Sequence, residues 1–152
     1  MDDVQIGPVI SGGCGFVAGG YGGHAVGIIN GQAAFEVANG LIIAEHTTLT
    51  AEGVGLSVEG SIALAEAEAG IYTSGVTLGA AGAAAGLAGG ITGYFVADYV
   101  EEKTDSKIAG VAAGTLSGAA VGAGVGFLIG GPAGAAVGAV AGGIAGFIGG
   151  LF

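Results

Sequence analysis

Apolar and small residues fill long stretches of this chain, and its polar residues gather between them. Val4 to Phe35 carries no acid, lysine or arginine; its most polar members are Gln5, His24, Asn30 and Gln32. The next stretch holds Glu36, Glu45, Glu52, Glu59, Glu66 and Glu68. Ile71 to Ala97 is again uncharged. A polar knot of Asp98, Glu101, Glu102, Lys103, Asp105 and Lys107 follows, and Ile108 to Phe152 has no charge. An uncharged apolar run longer than about 18 residues is a candidate membrane span. The pattern therefore predicts a glycine-rich apolar helix region over 1–35, an acidic middle over 36–70, and a helical region over 71–152. Spans are expected at about 71–97, 108–131 and 133–152. The break falls at Gly130, Gly131 and Pro132, because proline removes a helical hydrogen bond. Each of the last two spans reaches at least about 30 Å as helix.

Glycine then sharpens the picture. Gly110, Gly114, Gly118, Gly122, Gly126, Gly130, Gly134, Gly138, Gly142, Gly146 and Gly150 fall four apart. Gly15, Gly19, Gly23, Gly27 and Gly31 repeat the spacing near the start. Gly75 with Gly79, and Gly82, Gly86 and Gly90, repeat it in part. Residues four apart nearly superpose on a helix, so each series forms a smooth groove where a second backbone can approach closely. These glycines are the expected helix-packing positions. A four-residue period drifts by about 40° per step, so no straight partner could follow the whole carboxyl-terminal series. That is a second reason to break it near Pro132. Glycine costs about 1 kcal/mol against alanine inside a helix, or about 10 kcal/mol for that series, which an isolated helix in water could not carry. A bilayer, where backbone groups must bond internally whatever the residue, changes that comparison.

The middle segment reads two ways. Val54, Leu56, Val58, Ile62 and Leu64 alternate with smaller or polar residues, the period of a half-buried strand over 53–64. Leu41–Thr50 also leans toward strand. Against this, Glu45, Glu52, Glu59 and Glu66 lie seven apart and would form one stripe on a helix. Ala63–Ala69 is the best helical piece. The acids themselves read as a solvated face. The fold class expected is mainly α: helical hairpins built on glycine grooves and embedded in a membrane, with a small β segment somewhere in 41–64.

Composition removes several function classes. Glycine supplies 37 of 152 residues but proline only 2, which excludes collagen. Net charge is −10 with two lysines and no arginine, so no basic surface exists for nucleic acid. Cys14 is the sole cysteine, which excludes an internal disulfide. The acidic start is unlike a secretory signal, and Gly12-Gly13 is the one place where a short leader could end. His24 and His46 lack partner ligands at metal-binding spacing. His24 is expected inside the packing and His46 in a surface pair with Glu45. No lysine–hydroxyl pair follows the glycines as a phosphate loop requires. No enzyme, cofactor, metal or small-molecule substrate is expected. Tyr94, Phe95 and Tyr99 sit beside the knot, where an interfacial belt would lie.

Gly114-Thr115-Leu116-Ser117-Gly118 and the run Ala135–Gly146 resemble the glycine-zipper segments of membrane-inserting bacterial proteins, colicin-V-type bacteriocins and two-span envelope domains among them. The resemblance covers the last third of the chain. It implies insertion of a helical hairpin and self-association. The expected role is a non-catalytic, self-associating membrane protein, a structural subunit of an envelope, virion membrane or filament. A pore-forming effector and a soluble shell or fibre protein are the competing roles. The expected partners are further copies and a lipid bilayer, and the expected location is the cell envelope or a virion membrane.

Overall fold

The computed structural model describes residues 6–50, 53–56 and 58–152. Three long helices dominate it: α1 Ile6–His46, α2 Val58–Thr104 and α3 Lys107–Gly149. Between α1 and α2, β1 Thr47–Thr50 and β2 Gly53–Leu56 pair antiparallel, with Thr47 opposite Leu56 and Thr50 opposite Gly53. The alternation over 53–64 thus yields strand only to Leu56. From Val58 onward the chain is helical, because Ala63–Ala69 is strongly helix-forming and Glu59 favours the positive end of the helix dipole. Leu41–His46 is likewise helix rather than strand. The four acids at intervals of seven do not form one stripe: Glu45 is in α1, only Glu59 and Glu66 share a helix, α2, and Glu52 lies outside the described residues. The helices also run through the charge boundaries at 35/36 and 70/71.

The polar knot makes the α2–α3 turn. Asp105 takes a left-handed φ of 52°, and its N–H donates to the Glu101 carbonyl at 2.9 Å, closing α2. Ser106 is extended and caps α3, its hydroxyl accepting from the Ala109 N–H at 3.4 Å. Lys103 supplies a cation in the last turn of α2, and its Nζ lies 5.7 Å from the Tyr99 ring centre.

α3 is two helical halves. Gly131 has φ 61° and ψ −151°, a conformation essentially restricted to glycine, directly before Pro132. Proline also pushes the preceding residue out of the α region. The chain reverses there, so Gly126 meets Gly134 and Gly114 meets Gly146. The winding glycine series is thereby cut into two pieces that face each other.

Four helical segments pack side by side. α1 runs antiparallel to α2, with Ser11 beside Gly90, Gly19 beside Gly82 and Gly27 beside Ser74. The first half of α3 runs antiparallel to α2, with Gly110 beside Ala97 and Gly118 beside Gly89. Its second half returns alongside, with Gly142 at Gly89 and Gly146 at Gly93. The tip of this α3 hairpin reaches Leu78 and Ala81 of α2, which Gly130 touches. Beyond that level α1 and α2 continue as a two-helix stalk carrying the β-ladder.

Candidate functional site: glycine seams and an apolar outer surface

Side-chain size decides what is inside. The buried hydrophobic residues are Ala81, Ala83, Ala85, Ala97, Ala141 and Ala145, with Leu78 and Val137 as the larger members. Glycines supply much of the rest of the interior. Large apolar side chains point outward instead: Ile108 and Leu128 are each 84% exposed, Tyr21 79% and Leu116 72%. A water-soluble domain sorts these residues the other way.

The seams are backbone against backbone. A Cβ placed on Gly15, Gly19, Gly23 or Gly27 would fall on the α2 carbonyls of Gly86, Gly82, Leu78 and Ser74. Gly82 and Gly86 meet Gly19 and Gly15 in return, Gly90 meets the Ser11 carbonyl, and Gly31 meets the Ile71 backbone. Within α3 the same reciprocity joins Gly118 to Gly142, Gly122 to Gly138, and Gly126 to Gly134. Gly110 abuts the Ala97 carbonyl, Gly114 the Gly93 carbonyl and Gly150 the Val111 backbone. Gly75 and Gly130 are covered by side chains, His24 with Ile28 and Leu78 respectively. A Cβ on Gly79 would be less crowded, 3.3 Å from the Gly20 carbonyl oxygen. Where two glycines meet reciprocally, the hydrogen occupying each Cβ position points at a carbonyl oxygen. Such Cα–H···O contacts contribute about 0.5–1 kcal/mol each. Some glycines off the register differ: Gly13, Gly22, Gly40, Gly70 and Gly124 have open space where a Cβ would stand.

Gly89 and Gly93 escaped the sequence reading and are central. Both face α3, against Gly118 with Gly142 and Gly114 with Gly146. They belong to a second stripe, Ala81, Ala85, Gly89, Gly93 and Ala97, every member buried. Counting alanine with glycine in the four-residue register would have found it. Ser11 was also missed. It is fully buried, and its single hydroxyl proton is shared between the carbonyls of Gly90 at 2.8 Å and Ala145 at 2.6 Å. It joins α1, α2 and the second half of α3.

Other polar groups bond locally. Thr104 and Thr115 donate to the carbonyls four residues back, and Ser117 to the carbonyl of Gly114. No described buried side-chain polar atom lacks a partner. His24 is exposed along Gly75 rather than packed inside, because α3 ends at this level and leaves that side of α1 uncovered. Cys14 is exposed on α1. The His46 side chain lies outside the described ones. Among the described residues no three His, Cys, Asp or Glu side chains converge.

The charges stand at the two ends. Between Glu68 and Asp98, α2 runs about 45 Å without a charge, at about 1.5 Å per residue. That matches a bilayer including its headgroups, about 40–45 Å. The uncharged parts of α1 and both halves of α3 pack beside this belt. Glu36, Glu59, Glu66 and Glu68 lie on the stalk, and the knot lies at the other end. Two helices, Glu59–Thr104 and Lys107–Gly149, are long and apolar enough to cross a membrane. No family model matches the chain, and comparison with curated proteins and with solved structures returns no match.

Proposed function

We propose that this chain is a non-catalytic integral membrane protein. Its two helical hairpins close on glycine-zipper seams, and it self-associates as a structural subunit of an envelope or virion membrane. One observation carries the reading: small residues are inside and large apolar ones outside, over a charge-free belt of bilayer thickness. In water such a surface would exceed by far the apolar patches that monomers tolerate. In lipid it costs nothing, and interhelical contact then depends on close packing of small residues.

The glycine seams lie within the chain, so self-association would use other surfaces. Val37, Leu41 and Ile62 are exposed on the stalk beyond the belt, where lipid does not reach. Neighbouring copies would cover them. Lys103 and Lys107 put the knot on the cytoplasmic side by the positive-inside rule, with the end of α3 on that same side.

Alkaline carbonate extraction tests the reading. The chain should stay in the membrane pellet; release into the supernatant would defeat it. Purified chain added to dye-loaded vesicles should leave the dye trapped. Rapid leakage would replace the structural role with a pore-forming one.

A further inference from the structure

Two cavities meet where the α3 hairpin ends and the stalk continues. One is a notch of about 660 Å³ lined by Asn30, Glu66, Thr73, Ser74 and Thr77, with Leu78 and Ile129. The other is an apolar groove of about 460 Å³ between α1 and the second half of α3, lined by Ala18, Gly22, Val26, Val140 and Ile144. Asn30 and Ala133 line both, so the two form one slot, polar at one end and apolar along the rest. Its origin is geometric. α1 and α3 touch where Gly15 and Gly19 meet Ala145 and Ala141, and then part, leaving open space at Gly22.

In the membrane reading the notch lies at headgroup depth and the groove among the acyl chains. Among the described residues Glu66 is the one charged residue lining the slot, and both lysines are at the far end of the belt. The second half of α3 starts at Pro132, which sets the positive end of a helix dipole beside the notch at Ala133. A carboxylate and a helix N-terminus complement an ammonium and a phosphate. A primary ammonium can donate to Glu66 and to the side-chain oxygens of Asn30 and Thr73; a quaternary one cannot. A headgroup with net negative charge and no amine meets repulsion at Glu66.

We propose that the slot holds one phosphatidylethanolamine, its ammonium at Glu66 and one acyl chain in the groove. This rests on the membrane reading.

Native mass spectrometry of the full chain tests it, in micelles supplied with equal amounts of phosphatidylethanolamine, phosphatidylcholine and phosphatidylglycerol bearing the same acyl chains. One ethanolamine lipid should be retained per chain, preferred roughly tenfold over the glycerol lipid, the size of one charge-assisted contact. Glu66→Gln should erase the preference and keep the occupancy. Gly22→Leu, whose Cβ has open space and whose side chain would occupy the groove, should remove the retained lipid whatever its headgroup. Equal retention of all three lipids by the unaltered chain, or retention undiminished by Gly22→Leu, would overturn the slot. Either result can occur with the chain still resistant to carbonate, so the slot can fail while the membrane reading stands.

Discussion

Two glycines, two residues apart on α3, should respond to the same substitution with opposite sign. A Cβ on Gly122 would fall on the Gly138 carbonyl, inside the 3.0 Å that real Cβ atoms essentially never enter. The obstacle is backbone, so the two halves of α3 must separate. Overpacking of this kind costs about 1–3 kcal/mol, and two Cα–H···O contacts of about 0.5–1 kcal/mol each weaken with it. Alanine's helix preference returns at most about 1 kcal/mol. Gly122→Ala should therefore destabilise by roughly 1–3 kcal/mol, a fall in Tm of about 3–10 °C for a chain of this size. Gly124 has open space around its Cβ position, so Gly124→Ala keeps only the propensity gain, about 0.4–1 kcal/mol. Its Tm should rise by about 1–4 °C. Adding Gly138→Ala to Gly122→Ala should cost less than the sum of the singles, since one separation accommodates both. Circular dichroism melts in one detergent compare the three single variants and the double variant with the unaltered chain. A Gly122→Ala protein as stable as Gly124→Ala would refute the backbone-contact account.

Further outcomes follow from the same geometry. Gly131→Ala should lose about 1–3 kcal/mol, because its φ of 61° and ψ of −151° exclude a side chain; an unchanged melt would mean the reversal is made another way. Ser11→Ala should lose about 0.5–1.5 kcal/mol, read by the same melts, since one buried hydroxyl bridge disappears. Leu41→Ser should shrink the complex seen by cross-linking while leaving the monomer's melt within about 0.5 kcal/mol, as for other exposed sites; an unchanged complex would remove the stalk from the assembly surface. A cysteine at Glu102, in a Cys14→Ala background, should be labelled only from the cytoplasmic side, and labelling from the opposite side would invert the topology.

Much of this fold could be read from the chain before folding. The break at Gly131-Pro132 was legible because proline and its preceding residue have few backbone choices. The four-residue glycine register was legible because helical geometry converts it into a groove. Which groove faced which was not, since register cannot tell a partner in the same chain from one in another copy. The stripe through Gly89 and Gly93 was hidden because alanine fills three of its five positions. Ser11 was hidden because an isolated serine in a helix carries no positional signal; only the convergence of three helices makes it a bridge. Of the two readings left open over 53–64, strand holds only to Leu56 and helix takes over from Val58, where the helix preference of the alanine run outweighs a two-residue alternation.

The central claim is that the exposed apolar surface faces lipid, and the chain carries its own reporter for it. Cys14 is the sole cysteine, is exposed, and lies level with Leu87 near the middle of the charge-free belt. A nitroxide attached there in proteoliposomes can be probed by power-saturation resonance with oxygen and with a water-soluble nickel chelate. The account predicts strong relaxation by oxygen and weak relaxation by nickel, the signature of an acyl-chain environment. Strong relaxation by nickel would put this surface in water, and weak relaxation by both would bury it against protein; either contradicts a lipid-facing belt.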